Sequence, residues 1–318
     1  MSAAPKAKVS VALSRDQRSD VAAAAVLRAL TEAIEGNRDG AMTGEDPEFL
    51  HQLRIAVRRS RTVQRQLKGA FPPLVLTGFR SEFRWLQQTT GEARDLDVYL
   101  LGFEELRALV PAPIRAELGP LRAVIGHWRL AAHAEAARAL ASRRTSELLT
   151  DWEVLLETLI ELPVADRPDA AQAIAHTAGR RIRRVYRHVR RMGAAIDPTG
   201  PGAAYHELRK KGKELRYLLE LFGVQLFDRE VVDDLVATLK GLQDVLGRHQ
   251  DREVQIALLT ALADEVAGLP RGPRALMAMG VLVDRLHADE RAARSEFDAH
   301  FADLTSRERR AQVKAAFR

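Results

Sequence analysis

No Asp or Glu occurs between Phe49 and Ser81, yet the 22 residues Leu50 to Phe71, LHQLRIAVRRSRTVQRQLKGAF, carry Arg54, Arg58, Arg59, Arg61, Arg65 and Lys68. At about 100° per residue, the angular step of an α-helix, His51, Arg54, Arg58, Arg61, Arg65 and Lys68 fall on one stripe. Leu53, Ala56, Val63, Leu67 and Phe71 fall opposite. One face is made for a core and the other is cationic. Like charges three or four residues apart oppose a helix by about 0.2–0.5 kcal/mol per pair, so this row needs a tertiary context or an anion to hold it.

The rest of the chain is also helical in pattern. Of its 318 residues 46% are hydrophobic but only 5% aromatic, and the dominance of Ala, Leu, Arg and Glu favours helices over sheets. Alternation of period two and Asn-Gly hairpin turns are missing. Helices are expected at 15–36, 47–71, 74–90, 114 into the 140s, 146–162, 170–192, 203–222, 228–246, 250–267 and 273–300, with GEARDLDVYLLGFEEL between Gly91 and Pro111 and a short terminal piece. Residues 1–15 read as a disordered lead-in, 37–46 as a polar loop and 163–169 as a linker. The fold class is all-α.

The chain also repeats itself at a separation of about 155 residues. HQLRIAVRRSR from His51 aligns with HELRKKGKELR from His206, pairing Arg54 with Arg209, Arg58 with Lys213 and Arg61 with Arg216. One residue out of step, LQQTTGEARDLDV from Leu86 aligns with LQDVLGRHQDREV from Leu242, pairing Gly91 with Gly247, Asp95 with Asp251 and Asp97 with Glu253. HAEAA at His133 against HADER at His287 continues the trend more faintly. Two repeats, 16–162 and 170–318, are expected as pseudo-symmetric sub-bundles whose basic faces meet in a shared groove. A third cationic face lies at 180–191, RRIRRVYRHVRR, with seven arginines and His188 about an apolar stripe of Ile182, Val185, Tyr186 and Val189.

The paired H-x-x-R helices, the G-E-A-R-D-L-D-V segment and H-E-L-R-K-x-x-K-x-L-R-Y resemble the CHAD domain, the "conserved histidine α-helical domain", from about residue 16 to the end. The resemblance implies two pseudo-symmetric four-helix bundles and inorganic polyphosphate bound in the basic groove or pore between them. It also implies association with polyphosphate granules. Some relatives carry a CYTH or triphosphate tunnel metalloenzyme domain, for which this sequence has neither the room nor an opening E-x-E-x-K signature, so a stand-alone module is expected. The chain departs from the pattern at Gln250, which stands where the first copy has Arg94.

Residue chemistry leads independently to a polyanion. The net charge is +6, the pI near 9.8, and the basic residues are bunched. Arg forks grip oxyanions in a bidentate way. Nucleic acid would call for aromatic stacking platforms or side chains reaching base edges, and only Tyr186 and Tyr217 lie near the basic faces. The expected polyphosphate contacts are His51, Arg54, Arg58, Arg61, Arg65, Lys68, Arg183, Arg187, His206, Arg209, Lys210, Lys213 and Arg216. His51 and His206 head the two stripes and serve as phosphate donors or structural groups rather than metal ligands, since arginines surround them. The other histidines read as structural or surface groups. Asp95 and Asp251 are expected to orient arginines. The alternative is that they hold Mg²⁺ in a polyphosphate hydrolase, but Asp95 and Asp97 lie about 200° apart on a helix and cannot readily chelate one ion. No nucleophile–base pair, P-loop or dinucleotide turn appears. The expectation is a binding protein with no cofactor and no catalytic residue. Zero cysteines, no run near the roughly 18 apolar residues of a membrane span and no signal-peptide core in MSAAPKAKVSVAL suggest a cytoplasmic protein.

Overall fold

A computed structural model describes residues 4–7, 11–197, 200 and 202–318, and every regular element among them is helical. The first half comprises α1 (Ser19–Thr43), α2 (Pro47–Gln66), α3 (Pro73–Thr89), α4 (Gly91–Leu101), α5 (Phe103–Ala108), α6 (Gly119–Ala141) and α7 (Arg143–Thr158). The second comprises α8 (Ile174–Ala194), α9 (Ala203–Leu218), the short α10 (Val224–Leu226), α11 (Arg229–Ala267), α12 (Gly272–Thr305) and α13 (Arg307–Ala316). A π-helical turn, Leu219–Gly223, joins α9 to α10. The most extensive packing pairs α1 with α2 and α11 with α12, and α2 meets α9 across the two halves. Leu27, Leu53, Phe83 and Leu140 belong to one continuous buried cluster with Leu208, Phe222, Leu239 and Leu282. The halves therefore share a core.

The basic helix starts where its chemistry predicts. Asp46 accepts from the Glu48 amide at 2.8 Å, and Pro47 occupies the first turn, where its missing N–H costs nothing. Other boundaries differ from expectation. Helix α1 runs past Gly36 to Thr43, because Gly40 serves packing: a Cβ there would meet the Phe49 ring at 2.3 Å. The helix ends at Gly44, at φ 65°, a left-handed cap that glycine adopts without penalty. Likewise α11 is one helix of 39 residues rather than two. A helical glycine costs about 1 kcal/mol against Ala, and Gly247 is not enough to break a helix packed on both α9 and α12.

Two segments expected to be loose are tied down. Within 163–169, the Arg167 side chain is 0% exposed. It donates to Asp20 at 3.2 Å, to Ala70 O at 3.3 Å, to Pro163 O at 3.0 Å, and to Leu162 O. An arginine so enclosed must be paired, and its partners pull the expected linker into the core. In the lead-in, residues 1–3 and 8–10 lie outside the described residues. Of the remainder, Ala7 is buried, its amide donates to Gln52 Oε1 at 2.9 Å and its carbonyl accepts from Arg59. Asn37 donates to Pro5 O at 2.8 Å. The described lead-in is a strap across α1 and α2, because polar side chains on those helices capture its backbone.

Removing one partner of a buried ion pair costs about 3–5 kcal/mol. Arg167→Met is expected to lower unfolding stability by that order in urea titration; an unchanged midpoint would show that Asp20 and the neighbouring carbonyls do not depend on this guanidinium.

Candidate functional site

Helices α2 and α9 meet with their cationic stripes toward one cleft of about 710 Å³. Helix α2 contributes Arg58, Arg61 and Arg65, and α9 contributes His206, Arg209, Lys210, Lys211 and Lys213. His188 and Met192 of α8 form part of the third wall. A smaller arm of about 320 Å³ continues from it past Lys68, Arg80, Arg181 and Arg184. Arg65, His188, Lys211 and Glu214 line both volumes, so the two adjoin.

Charge dominates this cleft. The Lys213 ammonium falls from its ordinary range to about 7 because burial removes water from it and Arg209, Arg58 and Arg216 repel its proton. Arg209 is lowered by burial and by Arg58, against the pull of Asp251. Arg61 is lowered by burial and by Arg65, Arg84, Arg80 and Arg58. Arg58 thus stands against groups on both helices, and no acidic partner faces it among the described residues. Among the carboxylates near the cleft, Glu207 pairs with Lys210 at the rim. Asp251 lies 3.7 Å from Arg209 and is 60% exposed.

Two buttresses hold the repelling helices together. Glu214 of α9, whose side chain is only 3% exposed, sits 3.0 Å from Arg65 of α2 and 2.9 Å from Lys211, and it accepts from Gln66. On the other flank Glu220, in the π turn, sits 2.6 Å from Arg59 and 3.3 Å from Arg216. Neither carboxylate was singled out by the sequence reading. The available signal was an acid standing three or four residues from a base on an otherwise cationic helix.

The structure sorts the expected contacts. Arg58, Arg61, Arg65, Lys68, His206, Arg209, Lys210 and Lys213 line the groove or its arm. Arg54 does not: it is 5% exposed and donates to Gln87 O at 2.7 Å and Thr90 Oγ1 at 2.8 Å. Burial and the neighbouring Arg58 lower it to about 10. It fastens α2 to the α3–α4 junction. Arg183 turns to Phe317 O near the chain end, and Arg187 lies on the outer face of α8. Both flanks of the α8 apolar stripe are arginine, and it is the Arg181, Arg184 and His188 flank that turns inward. Arg216 is drawn aside by Glu220 and lies 5.9 Å from the Tyr217 ring centroid. His51 is half-buried outside the cleft, lowered by burial and by Arg94. Asp251 faces Arg209 as expected, whereas Asp95 makes no hydrogen bond or ion pair to an arginine and acts on Arg54 through space alone.

At the aligned Gly91 and Gly247 the neighbouring arginines stand alike. A Cβ on Gly91 would lie 3.8 Å from the Arg54 guanidinium, and one on Gly247 would lie 3.9 Å from that of Arg209. His206 Nδ1 is hydrogen-bonded to Gln250, while His51 is influenced by Arg94, the residue aligned with Gln250.

The CHAD domain family model matches residues 25–260. This chain belongs to the CHAD domain family. The crystal structure of the CHAD domain from the plant Ricinus communis superposes with a TM-score of 0.74 at 26% identity, covering 98% of this chain and 97% of that one. PptA from Streptomyces chartreusis shares the fold at a TM-score of 0.68 and 21% identity, over 89% of this chain and 99% of its own. Two curated proteins of Mycobacterium tuberculosis, the uncharacterized Rv2226 and MT2285, are 26% identical over 250 residues, 76% of this chain. The chain spans about half, 47%, of the length of those curated relatives. No described helix of this CHAD domain is long and apolar enough to cross a membrane.

A lysine lowered to about 7 is charged below that pH and neutral above it. The Lys213 side-chain carbon signals are therefore expected to titrate in NMR with a midpoint near neutrality in the free protein. A midpoint above 9 would show the ammonium to be well solvated.

Proposed function

We propose that this CHAD domain binds inorganic polyphosphate along the α2–α9 groove as a binding module rather than an enzyme, and that it associates with polyphosphate granules. The observation that carries the reading is the opposition of Arg58 on one wall to Arg209 and Lys213 on the other. Each approaches like charges in a cleft from which water is partly excluded. Three closely set cations that share one largely exposed acid, Asp251, are unfavourable until an anion of regular, dense charge lies between them. Linear polyphosphate has that charge pattern and no bases. Among the described residues Tyr217 is the one Phe, Tyr or Trp lining the groove, and it is buried, so these offer no exposed stacking platform of the kind nucleic-acid readers use. Above pH 7 the anion draws a proton onto Lys213 as it binds, so affinity declines as pH rises through the alkaline range.

The duplicated, pseudo-two-fold arrangement of the repeats is part of the same proposal. Arg18 and Ala173, separated by the repeat spacing, form an antiparallel bridge. Around it Ser19 N donates to Gln172 O at 2.8 Å and Ile174 N to Gln17 O at 2.8 Å. A reciprocal contact between equivalent residues is what a local two-fold produces. Such an axis makes α2 and α9 equivalent walls.

Arg58→Glu combined with Lys213→Glu is expected to weaken polyphosphate binding by about two orders of magnitude or more, since lost phosphate contacts also flatten a steep salt dependence. Helix content by circular dichroism should be retained. Undiminished affinity, or displacement of polyphosphate by duplex DNA at equal charge concentration, would refute the assignment.

A further inference from the structure

The cationic surface does not end in the groove. Its arm, bounded by Arg181 and Arg184, opens onto the outer face of α8, where a shallow depression of about 760 Å³ is lined by arginines and Ala194 alone. Arg181 and Arg184 line both the arm and the depression. Arg180 and Arg181 are anchored by Asp169, the latter at 2.9 Å, which fixes the place where the two surfaces join. Beyond that point Arg184, Arg187 and Arg191 have no acidic partner among the described residues and stand within reach of solvent. The row from Arg180 to Arg191 extends about 16 Å along the helix axis. On the opposite side of α8, Ile182, Val185, Tyr186 and Val189 are buried in the core, so the arginines cannot rotate away. The row is presented on a packed helix, borders the groove and is unneutralised at Arg184, Arg187 and Arg191.

We propose that the outer face of α8 is a second arm of the same anion track, engaged by polyphosphate chains too long to be held by the groove and absent from the binding of short ones. The inference rests on the groove reading of the preceding subsection. It makes the protein a discriminator of chain length: the groove captures an end or a loop of the anion, and α8 adds contacts in proportion to the length that emerges past Arg184. Contacts made by one continuous ligand to two linked surfaces raise affinity without any change in either surface.

The test compares wild type with Arg187→Glu/Arg191→Glu, both exposed and outside the groove, for binding tetraphosphate and long-chain polyphosphate. Measurements belong at about 0.15 M salt, where the screening length is about 8 Å and the reversed charges act locally. Long-chain affinity is expected to fall about tenfold or more, with the slope of log K against log salt reduced by about 1–2. Tetraphosphate affinity should stay within about twofold, because the groove is untouched. Unchanged long-chain affinity, or an equal loss for both lengths, overturns the second arm while leaving the groove reading in place. If wild type binds neither ligand, the groove reading fails and this inference fails with it. Circular dichroism of the variant checks that α8 remains folded.

Discussion

The repulsion between the cationic faces of α2 and α9 is the constraint around which this CHAD domain is arranged. Burial first, and then repulsion from Arg58, lowers the proton affinity of Arg209 and Lys213, which opposes docking of the two helices. Two carboxylates offset it from opposite sides. Glu214 ties Arg65 and Lys211 at 3.0 and 2.9 Å, and Glu220 ties Arg59 at 2.6 Å. Because Glu214 is almost wholly buried, removing its partners would strand a buried charge, whereas an exposed surface pair contributes a median of about 0–1 kcal/mol. Between these buttresses Arg58 has no acidic partner among the described residues, and Arg209 has the largely exposed Asp251 3.7 Å away. The fold holds an incompletely compensated positive strip open, and the shared apolar core supplies the stability that allows it.

Around that strip, other residues that read as ligand contacts serve to hold the walls. Arg54 spends its guanidinium on Gln87 O and Thr90 Oγ1, fixing the angle at which α2 leaves the α3–α4 junction. Arg167 performs a similar task for the 163–169 segment, tying it to the first half through Asp20, Ala70 and the carbonyls of residues 162 and 163. The buried Arg54 and Arg167 organise backbone, and the half-exposed Arg58 and Arg61 face the groove. The distinction rests on burial and available acceptors rather than on residue type.

That distinction also explains how much of the molecule was readable before its structure. Helical class, the basic stripe of α2, its counterpart on α9 and the groove cations those two stripes supply follow from periodicity, because a stripe of Arg opposite Leu53, Val63 and Leu67 has one way to sit on a core. The two families of arginine on α8 could not be separated in this way, since the apolar stripe of Ile182, Val185 and Val189 is flanked by Arg on both sides and packing decides which flank turns inward. Periodicity likewise gives no depth, so Arg54 and Arg58, one helical turn apart, look alike in sequence although one is enclosed. Gly40, in the expected loop 37–46, and Gly247, in the expected break between 246 and 250, lie instead within helices as contact points for Phe49 and Arg209. The expected linker could not reveal Arg167 as a core residue, because its partners lie far away in the chain at Asp20 and Ala70. The resemblance to the CHAD family named the fold that the family match and the plant CHAD structure then showed.

The most direct test is a crystal structure of the protein soaked with a short linear polyphosphate. The account predicts phosphate density between α2 and α9, with oxygens in hydrogen-bonding reach of Arg58, Arg209 and Lys213, and the Glu214 pairs to Arg65 and Lys211 intact. Phosphates bound elsewhere on the surface, with that cleft holding only water, would contradict it.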